Sequence, residues 1–146
     1  MRGRALVATR RAYRIPQQGC GKGLLNRRGF IRRAESLLAD RSPIALILLD
    51  LDRFKPINDA HGHQAGNEVL KAVAHVLSRA RLSKSMPVGR LGGEEFGILM
   101  EAHPGRAAVF AEQLRLTLAN LPIAAGGLSL SVTASFGVSG ADGGRS

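Results

Sequence analysis

The chain has 146 residues, a length typical of one domain, and 45% of its residues are apolar, which is enough for a core. No apolar run approaches the roughly 20 residues that span a bilayer. A single cysteine, Cys20, excludes an internal disulfide, so a reducing compartment and a cytoplasmic location are expected. The net charge of +10 belongs to residues 1–33, which hold ten Lys and Arg and no acid, whereas residues 34–146 hold eleven of each sign.

Residues 1–22 are predicted to form an irregular, basic N-terminal arm, because Pro16, Gly19 and Gly21 interrupt it. Such an arm is able to touch nucleic acid or an anionic lipid surface, but we favour a solvated terminus. An Arg-rich start without acids also resembles an organelle transit peptide. A secretory signal is not expected, since residues 1–13 lack a sustained apolar stretch.

Two elements are predicted next. Asn26 is a residue type that caps helices, and apolar residues recur every three or four positions after it, so we expect a helix over residues 27–40. Residues 44–49 are all apolar and form too short a run for a typical helix. This pattern favours a central strand that is covered on both faces.

Polar residues follow the predicted strand. Asp50 and Asp52 stand where it ends, and the residues after them, with Gly62 and Gly66, predict a polar loop. An apolar stripe then predicts a second helix over residues 67–81.

The remaining elements complete an α+β fold. Two short apolar runs on either side of Gly92-Gly93 predict a β-hairpin. A third helix is expected over residues 106–121, and alternation over residues 128–138 predicts a single last strand. After the leading helix, this order is the ferredoxin-like split βαβ arrangement, an antiparallel sheet with helices packed on it. Polymerase palms, class III cyclases and many RNA-binding modules share the plan, so the fold alone does not decide the function.

Acids from two remote segments are expected to meet in this fold, because the first strand and the hairpin lie side by side at the sheet centre. Asp50 would then approach Glu94 and Glu95 at the hairpin turn. Clustered carboxylates repel each other unless a cation neutralises them, and Mg²⁺ prefers a few carboxylate oxygens together with waters and phosphates. Gly92-Gly93 would leave room for phosphate and allow positive φ in the turn. Singly, each acid is better explained as a solvated surface residue and the glycines as a tight turn, but the combination favours metal-dependent phosphate chemistry.

Three segments carry a specific resemblance. Residues 92–96 (GGEEF), preceded by Arg90 and Leu91, resemble the signature of the GGDEF family of diguanylate cyclases in its GGEEF form. Residues 50–63 (DLDRFKPINDAHGH) are similar to the family's nucleotide-binding stretch. Residues 23–28 (GLLNRR) resemble the end of its leading motif.

The resemblance implies a domain division and an activity. The cyclase domain would cover residues 23–138, between the basic arm at residues 1–22 and a Gly-rich tail at residues 139–146. Each domain would bind one GTP, and two domains would meet as a homodimer. Each 3′-hydroxyl would attack the α-phosphate of the other GTP, which gives cyclic di-GMP and pyrophosphate. Mg²⁺ or Mn²⁺ would be the cofactor, with no nucleic acid partner.

The resemblance also implies roles for single residues. Asp50 through its carboxylate, Leu51 through its carbonyl and Glu94 would bind the metal. Glu94 and Glu95 would be the catalytic acids, with Glu94 helping to remove the proton from the 3′-hydroxyl. The substrate-binding positions would be Asn58 and Asn67 at the base, Lys55, Gly92 and Gly93 at the phosphates, and His63 near the nucleotide, in the same loop as His61.

One departure from the family pattern concerns the base. Asn67 stands where the family usually has Asp, whose carboxylate accepts from two donors of guanine. An amide offers only one acceptor, so one guanine donor would lose its partner, at about 1–3 kcal/mol. We therefore expect weaker GTP binding or a relaxed choice between guanine and adenine.

Three further departures concern the surroundings of the site. Gly19, Gly21 and Lys22 replace the Asp, Leu and Thr of the leading motif. Residues 83–86 (SKSM) replace the family's Arg-x-x-Asp feedback motif, so no inhibitory site is expected. The family's C-terminal helix, with its phosphate-contacting Lys, is not expected after the last strand, and one face of the sheet is expected to lack cover.

Three functions remain open at this point. The chain is an active cyclase, a degenerate domain that binds GTP or a partner without turnover, or an RNA-binding module with a basic arm. RNA-binding sheets need aromatic platforms, and one Tyr, no Trp and five Phe argue against the third function. Intact Asp50, Lys55, Asn58 and residues 92–96 favour the active cyclase. A zinc site at His61 and His63 has little support.

Overall fold

A computed structural model of the chain describes residues 24–40, 42–83 and 85–142. The basic arm, Cys20 and the leading-motif positions lie outside the described residues. The elements are β1 (Leu24–Leu25), α1 (Arg27–Ala39), β2 (Pro43–Leu51), α2 (Phe54–His61), α3 (His63–Ala80), β3 (Val88–Arg90), β4 (Glu95–Met100), α4 (Pro104–Ala119), β5 (Ile123–Ala125), β6 (Leu128–Leu130) and β7 (Ala134–Asp142).

The main sheet has five strands in the order β1-β3-β4-β2-β7, and β5 and β6 form a separate hairpin. Strand β2 lies between β4 and β7 and is antiparallel to both. Strand β3 pairs with β4 as the predicted hairpin, and β1 adds a parallel edge strand. The α+β fold, with the first long strand beside the hairpin, is therefore confirmed.

Helices α3 and α4 pack on one face of the sheet. Alternate residues of β2 point to this face, and Ala45, Ile47 and Leu49 are at most 2% exposed. They pack with buried residues from the two helices, among them Val73 of α3 and Leu114 of α4. This buried layer fixes the register of β2, because a slip of one residue would turn its other side chains into the core.

The opposite face is covered in part. Helix α1 begins after Asn26, whose side chain accepts a hydrogen bond from the Gly29 amide at 2.8 Å, as its residue type predicts. Phe30 of α1 is buried in a small second cluster on this face. Leu48, in the middle of β2, is 44% exposed and lines an open, largely apolar groove of about 820 Å³. The prediction that β2 is covered on both faces is therefore wrong, because the described residues leave this part of the face open.

The predicted loop before residue 67 is also wrong, because this segment is almost entirely helical. Helix α2 buries Phe54, and its Pro56 lies in the first turn, where a missing N–H breaks no helical hydrogen bond. Gly62, at φ +92°, separates α2 from α3. As a result, His61 and His63 lie at helix ends and not in a loop.

The single last strand predicted over residues 128–138 is divided in the structure. Strands β5 and β6 form a hairpin whose turn places Gly126 and Gly127 at positive φ. The Gly126 amide donates to Glu68 Oε1 at 2.7 Å, which ties the hairpin to α3. The period of two continues across residues 131–133, so the pattern did not reveal the break between β6 and β7.

Within the described part of the chain, none of the helices has the length and apolar character to span a membrane.

We predict that Gly97→Ala destabilises the domain by about 1–3 kcal/mol, the usual cost of overpacking. A Cβ at residue 97 would lie 2.9 Å from the Phe30 ring, so α1 would have to move. Gly137→Ala is the matched control on β7, because its Cβ would meet nothing within 4 Å. Thermal unfolding of the two variants checks this, and equal melting temperatures would contradict the packing argument.

Candidate active site

Two acidic side chains from remote segments meet at one end of the sheet. Asp50 lies near the end of β2, in register with Glu95 of β4 and Ser135 of β7. The next residue, Leu51, donates its backbone N–H to the Glu94 carbonyl at 3.2 Å. The side chains of Asp50 and Glu94 are within hydrogen-bonding distance of each other. The predicted approach of these two acids is present in the structure.

The electrostatics of this pair favour a bound cation. Partial burial raises the pKa of Glu94, and the negative charge of Asp50, a hydrogen bond to Asp50 and the charge of Glu95 raise it further. Repulsion between the carboxylates is relieved either by a proton or by a cation. Two carboxylates and a nearby backbone carbonyl, open to solvent, suit Mg²⁺, which keeps several waters.

A third acid, Glu95, lies beside the pair of Asp50 and Glu94. In residues 24–40, 42–83 and 85–142, no group of three His, Cys, Asp or Glu side chains is placed to hold a metal ion. Glu95 is exposed and affects Glu94 through its charge. The fit to a metal ion therefore rests on Asp50, Glu94 and the Leu51 carbonyl, with Glu95 as a neighbouring charge.

The hairpin turn next to these acids is held by Arg90. Its Nε donates to the Gly92 carbonyl at 3.2 Å, and its Nη2 donates to the Gly93 carbonyl at 2.7 Å. Neither glycine has a positive φ, so that part of the prediction is wrong. A Cβ at Gly93 would meet nothing within 4 Å, which means that open space lies beside the turn. Gly93 therefore leaves room for a ligand, whereas a Cβ at Gly92 would lie 3.0 Å from Glu95 Oε1.

Asn58 lies where α2 packs against α3. Its Oδ1 is buried and has no hydrogen-bond partner among the described residues. A Cβ at Gly66 would lie 1.7 Å from this oxygen, so only glycine leaves room for the Asn58 side chain in this position. A buried acceptor without a donor costs about 1–3 kcal/mol. An N–H donor of a ligand would remove that cost.

The other predicted substrate residues are exposed. Asn67 follows Gly66 in α3, and His63 is the first residue of that helix. Lys55 forms an ion pair with Asp59 at 3.5 Å, and its side chain is 84% exposed. Such a surface pair contributes little, so Lys55 is available to a phosphate at low cost.

Sequence reasoning gave no role to Asp52, which the structure places in a hydrogen-bonded group. Its carboxylate accepts from Ser135 Oγ at 2.6 Å and from Thr133 Oγ1 at 2.7 Å. These two bonds, that of Ser135 first, lower the pKa of Asp52. Two patterns in the sequence bear on this group: the Asp-x-Asp spacing after the strand and the Thr-x-Ser spacing at residues 133–135. Neither pattern shows that Asp52 faces Thr133 and Ser135.

Two further features lie away from this corner. His75 is buried in α3, and burial, followed by the charge of Arg79, lowers its pKa. In place of the feedback motif, the hydroxyls of Ser83 and Ser85 lie 2.9 Å apart and Met86 is buried.

Comparisons with known proteins agree on one family. The family described as "Diguanylate cyclase, GGDEF domain" matches residues 22–146. The diguanylate cyclase DgcP of Pseudomonas aeruginosa is 40% identical over 128 residues, which is 83% of this chain and 19% of that protein. DgcM of Escherichia coli K12 is 42% identical over 106 residues, which is 69% of this chain and 26% of that protein. The chain thus spans about a third or less of the length of these curated relatives.

Solved structures give the same result. The active GGEEF domain of a diguanylate cyclase from Vibrio cholerae matches with a TM-score of 0.68 and 33% identity, over 84% of this chain and 80% of that one. The GGDEF domain of DgcB from Caulobacter crescentus, solved in complex with c-di-GMP, matches with a TM-score of 0.74 and 26% identity, over 93% of this chain and 84% of that one.

We predict that Glu94→Gln removes a pH-dependent loss of stability from the metal-free protein. The folded-state pKa of Glu94 lies above its ordinary value of 4.5, so the fold binds the proton more tightly than the unfolded chain does. The wild type should therefore lose stability as pH rises from about 4.5 through the raised pKa, and the variant should not. Thermal unfolding in EDTA from roughly pH 4 to 8 measures this.

The control for this experiment is Glu101→Gln, which changes an exposed Glu just beyond the other end of β4. It should follow the wild-type pH profile. Parallel profiles for wild type and Glu94→Gln would contradict the repulsion described here.

Proposed function

Because the chain belongs to the GGDEF domain family of diguanylate cyclases, we propose that it condenses two GTP molecules into cyclic di-GMP and pyrophosphate. The observation that carries this proposal is the adjacency of Asp50 and Glu94, with the raised pKa of Glu94. A protein keeps two repelling carboxylates together at a cost in stability unless a cation offsets it. Metal-dependent phosphoryl transfer needs such a cation at this place.

The residues present fit a divalent ion. Asp50 and Glu94 would hold Mg²⁺ or Mn²⁺ through their carboxylates, and Leu51 would do so through its carbonyl. The bound ion supplies positive charge that activates the attacking hydroxyl and offsets the charge on the phosphate.

The chain's own residues position the nucleotide and move a proton. Asn58 Oδ1 accepts a hydrogen bond from the base, which gives this buried oxygen its missing partner. Lys55 pairs with phosphate, and the space beside Gly93 accommodates phosphate next to the turn. Glu94 accepts the proton of the 3′-hydroxyl as a general base. Glu95, at the start of β4, is the second acid beside the reacting groups.

A second copy of the chain completes the reaction. One domain binds one GTP, so the second GTP must be bound by a second domain that faces the first. Each O3′ forms a bond to the α-phosphorus of the opposite GTP as that phosphorus releases pyrophosphate. Holding both nucleotides face to face replaces an encounter in solution by an oriented reaction.

The alternative is a domain that binds GTP or a partner as a regulatory module without turnover. Asn67 favours it, because an amide offers guanine one acceptor where the family usually has a carboxylate. The same residue also supports a relaxed choice between guanine and adenine in an active enzyme. Product formation and nucleotide preference separate these possibilities.

We predict that the protein makes cyclic di-GMP from GTP and Mg²⁺, and that Glu94→Ala lowers the rate about 100-fold or more, the scale of losing one electrostatic contact to a transition state. Glu101→Ala, just beyond the other end of β4, should keep the wild-type rate. Chromatography of the nucleotide products provides the measurement. Nucleotide binding without product would favour the regulatory module over the cyclase.

We also predict that Asn67→Asp raises the preference for GTP over ATP by about 5- to 150-fold, the equivalent of the 1–3 kcal/mol that an unpaired guanine donor costs. Competitive titration with the two nucleotides gives this ratio. If wild type already prefers GTP as strongly as the variant, Asn67 does not relax base recognition.

A further inference from the structure

We infer that Asp52, Thr133 and Ser135 form a clamp between β2 and β7 that orients the metal-binding end of β2 without binding the ion. We call these three residues the β2–β7 clamp. The inference rests on the proposed function, because it assigns the clamp to the cation site at Asp50, Leu51 and Glu94.

The clamp contains three hydrogen bonds to one residue. Asp52 Oδ2 accepts from Thr133 Oγ1 at 2.7 Å, and Asp52 Oδ1 accepts from Ser135 Oγ at 2.6 Å. The Asp52 backbone N–H donates to the Thr133 carbonyl at 2.8 Å. Short bonds from hydroxyls to a carboxylate are charge-assisted and stronger than neutral ones. Asp52 is therefore attached to Ser135 of β7 through its side chain, and to Thr133, just before β7, through its side chain and its backbone.

The position of the clamp is what connects it to the metal. Ser135 is the register partner of Asp50, and Ala134 is the partner of Leu51. The residues of the clamp thus connect the two strands next to Leu51, because Ser135 is opposite Asp50, just before it, and Asp52 is just after it. On its other edge, Leu51 donates to the Glu94 carbonyl at 3.2 Å, and its side chain is 2% exposed. Residue 51 is held from both neighbouring strands, which sets the direction of its carbonyl.

The chain also turns sharply just after the clamp. Arg53 has φ 57°, the single non-glycine residue with positive φ in the described part of the chain. Residues other than Gly, Asn and Asp rarely take this conformation, so surrounding contacts must enforce it. The bonds of Asp52 are directly before this turn, and α2, with Lys55 and Asn58, begins directly after it. One clamp therefore supports both the metal end of β2 and the start of the nucleotide-binding helix.

Asp52 as a third metal ligand is the competing interpretation. Each of its carboxylate oxygens already accepts a hydroxyl hydrogen bond. No cluster of three acidic, His or Cys side chains able to hold a metal occurs among the described residues. The two interpretations make different predictions for the hydroxyl groups of Thr133 and Ser135. The clamp depends on these hydroxyls, whereas metal coordination by Asp52 does not require them.

The test uses Asp52→Asn, Thr133→Val and Ser135→Ala in the full chain. Thermal unfolding is followed at increasing Mn²⁺ with a non-hydrolysable GTP analogue, and turnover is followed at increasing Mg²⁺. We expect each variant to raise the half-saturating metal concentration by about 10- to 100-fold, the range for residues that orient metal ligands. Turnover at saturating Mg²⁺ should fall much less.

Two controls keep the test specific. Thr117→Val removes a hydroxyl that donates to the Gln113 carbonyl on α4, away from the site, and should leave the metal midpoint unchanged. Thr133→Ser keeps the hydroxyl and, unlike Thr133→Val, should have a half-saturating metal concentration close to that of the wild type.

Lower melting temperatures with an unchanged metal midpoint would overturn the clamp, because its role would be structural only. Loss of metal binding in Asp52→Asn alone would overturn it in favour of a ligand. A wild type that neither responds to Mn²⁺ nor makes product would instead overturn the proposed function itself.

Discussion

The repulsion between the carboxylates of Asp50 and Glu94 is the constraint on which the rest of the site depends. Burial and the nearby charges make the ionised form of Glu94 less favourable, so a proton or a cation stabilises the pair. The fold nevertheless holds the two residues together, since Leu51 donates to the Glu94 carbonyl and Asp50 is in register with β4. A domain that keeps this arrangement without an ion loses stability, which is typical of a functional site.

The two faces of β2 have different roles: one anchors the strand in the core and the other carries the site. One face is buried against α3 and α4 and fixes the strand, so that its end is placed reproducibly. The other face carries Leu48 and Asp50, both exposed, and opens to the groove beside α1. At the end of the strand, Leu51 bonds to Glu94 on one side, and Asp52 bonds to Thr133 and Ser135 on the other. These hydrogen bonds position the atoms that would bind the metal. Packing places the strand, and polar contacts place the ligands.

Much of this organisation follows from local pattern. The apolar run of β2, the glycine hairpin and the capped helix α1 were predictable because each depends on nearby residues. The helical path of residues 54–66 was not, because the burial of Phe54 and the Asn58–Gly66 approach are tertiary contacts that outweigh turn-forming residue types. The approach of Asp50 to Glu94 followed from topology. The Asp52 bonds to β7 did not, since the pairing of residues more than 80 positions apart leaves no local signal.

The most direct test of the account is a crystal structure of the protein with Mn²⁺ and a non-hydrolysable GTP analogue. Anomalous scattering then locates the ion independently of the protein atoms. The account predicts a manganese peak that contacts the Asp50 and Glu94 carboxylates and the Leu51 carbonyl, with the nucleotide phosphates beside Gly93. A nucleotide bound there with no ion between Asp50 and Glu94, or an ion bound elsewhere, would contradict it.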